Sequence, residues 1–170
     1  MPNTPKPAAR SAITLIEIMV VIAIIVILAG LLLSIWGYVQ DKAARELARN
    51  QIAQLTSDLL AYRADNGTLP IALNGASDTS SAALIIALYP ANAADGRIYD
   101  SNLIKMMNSY RPGADPQAIR RAATHLVDPY GNPWHYQFNG TPGRGGPNTF
   151  DLWSQGKENS PDTNKWIKNW

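Results

Sequence analysis

RSAITLIEIMVVIAIIVILAGLLLSIW, from Arg10 to Trp36, is the stretch that decides how the rest of this chain is read. Between Ile18 and Trp36 it holds no charged residue and no proline, and its side chains are mostly Ile, Val, Leu and Ala. At about 1.5 Å of rise per residue, roughly 19 helical residues cover close to the ~30 Å hydrocarbon core of a bilayer. The stretch therefore reads as a membrane-spanning helix. Lys6 and Arg10 precede it, and the positive-inside rule keeps that end cytoplasmic and sends the rest of the chain across. A cleaved secretory signal is the competing reading. Its apolar core is shorter, about 7 to 15 residues, and small residues flank the cut, whereas Ile35, Trp36 and Tyr38 stand where that cut would fall.

One acid interrupts this picture. Glu17 lies one residue before the uncharged run, where an interfacial carboxylate near the headgroups costs far less than one at the bilayer centre. The alternative is that Glu17 meets a cation once both are buried among protein neighbours.

Working outward, 170 residues leave room for one soluble domain with a modest core beyond the apolar segment. The formal charge is +2, and without Lys6 and Arg10 the remaining 13 basic residues balance 13 acids. That balance gives no basic stripe, so nucleic acid is not an expected partner. With no cysteine in the chain, disulfides, thiolate metal sites and a cysteine nucleophile are excluded.

Ser11-Ala12-Ile13-Thr14-Leu15-Ile16-Glu17-Ile18-Met19-Val20-Val21 resembles the signal of type IV pilin-like proteins, in which a basic leader ends at a small residue before a Phe-Thr-Leu-Ile-Glu type run. The resemblance implies that a membrane-embedded prepilin peptidase cuts on the cytoplasmic side and methylates the new amine. Aligning Glu17 with the family's fifth mature residue puts the cut between Ala12 and Ile13, with methylation on Ile13. It also implies that Glu17 pairs with the amino-terminal charge of a neighbouring subunit during assembly, so that two charges costly in lipid offset one another. Ala12 and Ile13 depart from the family's usual glycine and phenylalanine, and Ser34 stands near where the family helix often has proline.

After the span, VQDKAARELARNQIAQLTSDLLAYRADNG contains no proline. Ala44, Ala48, Ile52, Leu55, Leu59 and Tyr62 recur at steps of four and three and share one helical face, opposite Lys42, Glu46, Arg49, Asn50 and Ser57. Glu46 and Arg49 have the i,i+3 spacing of a helical ion pair. The helix should run from about Ile13 to Asp65, near 80 Å at about 1.5 Å per residue. Asn66-Gly67 and Pro70 stop it.

YRADNGTLP, Tyr62 to Pro70, is similar to the segment that closes the long helix in the major pseudopilin family of type II secretion systems. DPYGNPWHY (Asp128 to Tyr136), FDLWSQG (Phe150 to Gly156) and the terminal Asn169-Trp170 resemble that family's Asp-Pro-Trp-Gly-Asn-Pro turn, late strand and Gly-Asn-Trp ending. The local chemistry agrees, since Pro129 to Pro133 is turn-forming and the aromatic-rich Trp134 to Phe138 favours a strand. Thr149 to Trp153 should pair antiparallel to it. Gly140 to Pro147 reads as a flexible connection, Ser81 to Leu88 and Pro116 to Leu126 as short helices, and 91–115 as a variable insertion without assigned function.

No catalytic constellation emerges, and the chain does not read as an enzyme. His125 and His135 are separated by a proline-rich turn without metal-ligand spacing and read as surface or core residues. Ser154 is no G-x-S-x-G nucleophile, because position 152 is Leu. Asn66-Gly67-Thr68 and Asn139-Gly140-Thr141 match glycosylation sequons but read as turns. The major pseudopilin family often binds calcium in the loop that corresponds to 155–164, and on that resemblance Gln155, Glu158 and Asp162 are the candidate ligands, with Asn159 a lesser one. A purely structural turn is the other reading, and no other cofactor is expected.

The expected fold is α+β and pilin-like: a leader over 1–12, a transmembrane and filament-core helix over 13–36, an amphipathic stem over 37–66, and a small antiparallel head over 67–170. The resemblance implies a subunit anchored once in the inner membrane, amino terminus cytoplasmic and head periplasmic. It would polymerise with copies of itself and other pseudopilins into a periplasmic pseudopilus that drives type II secretion. Its other partners would be the prepilin peptidase, the inner-membrane assembly platform and lipid. The alternatives are a type IV pilin or competence-type minor subunit, and a single-pass anchored binding domain that never polymerises.

Overall fold

The structure is a computed structural model that describes residues 14–71, 80–91, 96–138 and 149–170, and leaves out the side chains of 32–36. The leader 1–12, Ile13 and the connection 140–147 lie outside the described residues. Two compact units are present, Met1–Gln40 and Asp41–Trp170. Helix α1 (Leu15–Asn66) contributes to both.

In the first unit α1 carries no core of its own: every described side chain from Thr14 to Leu31 is exposed. Among the described residues no helix is long and apolar enough to cross a membrane. The single-pass span read over Ile18 to Trp36 is therefore not recovered there. The side chains of 32–36, the far end of that run, lie outside the described residues.

The second unit is built on the rest of α1. Ala48, Ile52, Leu55 and Leu59 are buried on one stripe, with Ala44 and Tyr62 half-buried at its ends, while Lys42, Glu46, Arg49, Asn50 and Ser57 face solvent. This is the face that the 3.6-residue period selects. Arg49 Nη1 meets Glu46 Oε1 at 2.6 Å on the exposed side. The helix ends as Gly67 takes φ +74° and donates its N–H to Arg63 O at 2.8 Å, a left-handed close that glycine enters without penalty.

Helix α2 (Ala82–Leu88) buries Ala83, Leu84, Ile85 and Leu88. A 3₁₀ helix (Ser101–Met106) starts under the Asp100 carboxylate, which accepts from Asn102 N at 2.7 Å. It carries Leu103, Met106 and the following Met107 into the core. The segment read as a variable insertion thus supplies core side chains from its second half. Helix α3 (Pro116–Ala122) is capped by Asp115, which accepts from Gln117 N and Ala118 N. It is shorter than the expected 116–126, because Leu126 is fully buried in extended chain and bridges Met107.

Three antiparallel strands complete the unit, β1 (His135–Phe138), β2 (Phe150–Ser154) and β3 (Ile167–Lys168), in the order β1-β2-β3. Tyr136 pairs with Leu152 and Phe138 with Phe150 on the face that meets the core, and His135 pairs with Trp153 on the other. Alternation along a strand sends successive side chains to opposite faces. The outer face is covered as well, since Trp153 stacks between His135 at 5.1 Å and Trp166 at 5.6 Å. The arrangement is the expected α+β, pilin-like one: a long amino-terminal helix with a small antiparallel sheet.

Candidate functional site

The first candidate region is the start of α1. The Thr14 backbone N–H donates to Glu17 Oε2 at 2.7 Å and its hydroxyl donates to the same oxygen at 2.8 Å. Glu17 N–H lies 3.3 Å from Thr14 Oγ1 and 3.1 Å from Thr14 O. This is a capping box, Thr-x-x-Glu, in which side chain and backbone at the two ends of the first turn satisfy one another. The pattern is legible as Thr14-Leu15-Ile16-Glu17, and the charge-based reading of Glu17 passed over it. Ala12 and Ile13, the expected processing pair, lie outside the described residues.

The second region is the turn between Leu126 and β1 and the loop after β2. Asp128 is buried and organises the turn: Oδ1 accepts from Tyr130 N at 2.9 Å and Asn132 N at 2.8 Å, and Oδ2 accepts from the Ser154 hydroxyl. A carboxylate that accepts from its own chain two residues on is the Asx-turn expected of Asp. The turn then ties neighbouring elements together, as Asn132 Nδ2 donates to Gly156 O at 2.8 Å and the Tyr130 hydroxyl donates to Asp41 O at 3.2 Å.

The loop itself is held by its own groups. Ser160 N donates to Gln155 O at 3.3 Å, Asp162 Oδ1 accepts from Asn164 N at 3.0 Å, and Lys165 Nζ meets Glu158 Oε2 at 2.8 Å. The Lys165 ammonium holds the Glu158 carboxyl below the usual range, and the carboxylate in turn raises the lysine. Gln155 and Glu158 line one depression of about 150 Å³, and Asp162 does not join them. Arg45, Lys157 and Lys165 line it instead, facing the acids Asp41 and Glu158.

Calcium takes six to eight oxygen ligands, carboxylates, carbonyls and waters among them. Three cationic side chains border the depression, and its one loop carboxylate is already ion-paired. Among the described residues no group of three or more His, Asp or Glu could hold a metal ion. Lys165 was not singled out in the sequence, because it lies seven residues from Glu158 and no local spacing rule connects the two.

Asn169 was noted only as part of the chain ending, and the structure gives that ending a physical role. Its side chain accepts from Leu152 N at 2.9 Å and donates to Phe150 O at 3.2 Å, and its backbone N–H donates to Leu152 O at 3.2 Å. One residue thus satisfies the edge of β2 past the end of β3.

Among known proteins, no family model and no solved structure matches the chain. It is similar to the curated "Type II secretion system core protein G" of Pseudomonas aeruginosa, 31% identical over 169 residues, with 95% of each chain covered. It is also similar to the protein of the same name from Aeromonas hydrophila, 31% identical over 162 residues, covering 95% of this chain and 92% of that one.

Proposed function

Because the chain belongs to the type II secretion system core protein G family, and so has a pseudopilin role in secretion, we propose that it is the subunit that polymerises into a periplasmic pseudopilus. The observation that carries this reading is the pairing of near-full-length similarity with an amino-terminal helix whose described side chains from Leu15 to Leu31 are all exposed. So large an apolar surface is not left against water in a stable monomer. Lipid covers it first, and copies of itself and other pseudopilins cover it in the filament.

In this reading the full run from Ile18 to Trp36 anchors the subunit in the inner membrane, with the head on the periplasmic side. The prepilin peptidase cuts between Ala12 and Ile13 and methylates Ile13. The assembly platform then draws the subunit out of the bilayer, and Glu17 meets the amine of a neighbour. The work is mechanical and needs no catalytic group. The loop 155–164 is a turn held by the Glu158–Lys165 pair, without an obligatory ion.

The decisive experiment is the mass of the mature amino-terminal peptide from membranes, together with imaging of filaments made by the native chain and by Glu17→Gln. A methylated peptide starting at Ile13 and filaments lost in the variant are expected. An intact Met1, or a cut near Trp36, would overturn the reading. Filaments that survive Glu17→Gln would remove the charge from the assembly step and favour an anchored domain of another kind.

A further inference from the structure

Where the second unit begins, at Asp41, its surface carries more positive charge than its own carboxylates take up. A depression of about 150 Å³ opens there between Asp41 and Arg45 of α1, Tyr130 of the turn, and Lys157, Glu158 and Lys165 of the loop after β2. Two hydrogen bonds fix this meeting. The Tyr130 hydroxyl donates to Asp41 O at 3.2 Å, which ties the turn to α1, and Asn132 Nδ2 donates to Gly156 O at 2.8 Å, which ties the loop to the turn.

Glu158 and Lys165 neutralise each other at 2.8 Å. Among the described residues Arg45 and Lys157 enter no ion pair, and Asp41 is the one further carboxylate in the lining. Lys42, next in the chain and exposed, adds another cation. Further along α1 the balance differs, since Arg49 is taken by Glu46 and Asp65 takes Arg97. The surplus at this end therefore attracts an anion. A guanidinium offers paired N–H donors to phosphate oxygens, and an ammonium adds a point charge.

Position along α1 selects the source of that phosphate. The apolar run ends at Trp36, and Tyr38 follows with 71% of its surface exposed. Aromatic residues in that place mark the headgroup level of a bilayer. Because α1 is helical over Leu15–Asn66, Asp41 and Arg45 come about 7.5 and 13.5 Å after Trp36 at ~1.5 Å per residue. The headgroup zone extends roughly 5–7 Å beyond the hydrocarbon on each side. The field of an anionic surface reaches about 8–10 Å further at physiological salt. Both positions fall inside it.

We propose that Arg45 and Lys157, with Lys42 beside them, form a docking site for the phosphates of anionic phospholipids in the periplasmic leaflet. The proposal rests on the anchored reading of Ile18 to Trp36. It adds a second, electrostatic contact with lipid, made by the head, which must be released when the subunit leaves the bilayer.

The test uses the full chain reconstituted in lipid nanodiscs, of phosphatidylcholine alone or of equal parts phosphatidylcholine and phosphatidylglycerol. Co-elution with the neutral discs reads anchoring, and mass spectrometry after an amine-reactive ester reads the reactivity of each lysine. Lys157 is expected to react about fivefold more slowly in the anionic discs, the effect of one basic residue at such a surface. Exposed Lys105 on the 3₁₀ helix should react alike in both. The protection should vanish at about 1 M salt, where the screening length shrinks to about 3 Å, and should fall in Arg45→Gln. Equal reactivity of Lys157 in both discs, or protection undiminished in Arg45→Gln, overturns the shared headgroup site and leaves the anchored reading standing. A chain that enters neither disc overturns both. Inorganic phosphate that protects Lys157 in neutral discs as well as phosphatidylglycerol does would make this a free-anion site and overturn the lipid assignment.

Discussion

Thr14 and Glu17 close the first turn of α1 on each other, with the Thr14 backbone N–H 2.7 Å from the Glu17 carboxylate. The proposed cut between Ala12 and Ile13 leaves that N–H a peptide amide, so the cap can persist in the mature subunit. The carboxylate that is proposed to meet a neighbour's amine therefore starts from a position already fixed by its own helix. Two roles, cap and charge, fall on one side chain.

They can be separated. Glu17→Gln keeps a residue able to close the capping box and removes the charge, so helicity should hold while filaments are lost. Thr14→Ala should lower the stability of the helix start by about 1 kcal/mol. Circular dichroism of a peptide over 13–31 in detergent micelles reads the first effect and filament imaging the second. Equal loss of helicity in both variants would mean that the charge has no separate role.

The loop after β2 should behave as an ion-paired turn. Adding calcium to the full chain is expected to leave the melting midpoint unchanged, while Lys165→Gln lowers it slightly and more so at low salt. The Glu158 carboxyl is lowered in the folded state, so its contribution is present above its unfolded pKa and is lost as pH falls through the folded value. A saturable calcium heat that Asp162→Asn abolishes would restore the ion reading of Gln155, Glu158 and Asp162.

Asp58 should run the other way. It is 6% exposed on α1, its Oδ2 is buried without a partner among the described residues, and Gln54 Nε2 donates only to Oδ1 at 3.1 Å. Burial raises its pKa, and the nearby Asp100 charge adds to the rise. The folded state then holds the proton more tightly than the unfolded one, so this group's contribution declines as pH rises from the unfolded value through the folded one. Asp58→Asn should stabilise the protein at neutral pH and flatten that part of the profile. Urea melts at pH 4 and pH 7 check it, and a variant less stable at both would refute it.

Asp128→Ala should destabilise the head by about 3 kcal/mol, because it leaves the Tyr130 and Asn132 amides and the Ser154 hydroxyl without their acceptor. Denaturant unfolding followed by tryptophan emission measures this.

Leu103→Ala should lower stability by about 2–5 kcal/mol, the range for a fully buried leucine. A loss well below 1 kcal/mol would mean that the 3₁₀ segment is peripheral, as a variable insertion would be.

The sequence by itself determined the elements whose signal is local or periodic. The stripe from Ala44 to Tyr62 had to face a core because 3.6-residue spacing puts those side chains on one side of a helix. Asn66-Gly67 had to end it, and the apolar run from Ile18 was plain from composition. The same holds for β1 and β2 with their turns, where aromatic strand residues are bracketed by proline and glycine.

What only the tertiary structure decided depends on residues far apart in the chain. Leu126 leaves the α3 pattern because full burial beside Met107 outweighs helical propensity, and β3 is too short to announce itself. Lys165 reaches Glu158, Tyr130 reaches Asp41, and His125 comes to share a depression with His135, each across a turn whose path no spacing rule encodes. Local propensity acts over a few residues, whereas these meetings follow from how the buried faces of α1, the 3₁₀ segment and the sheet fit around one core.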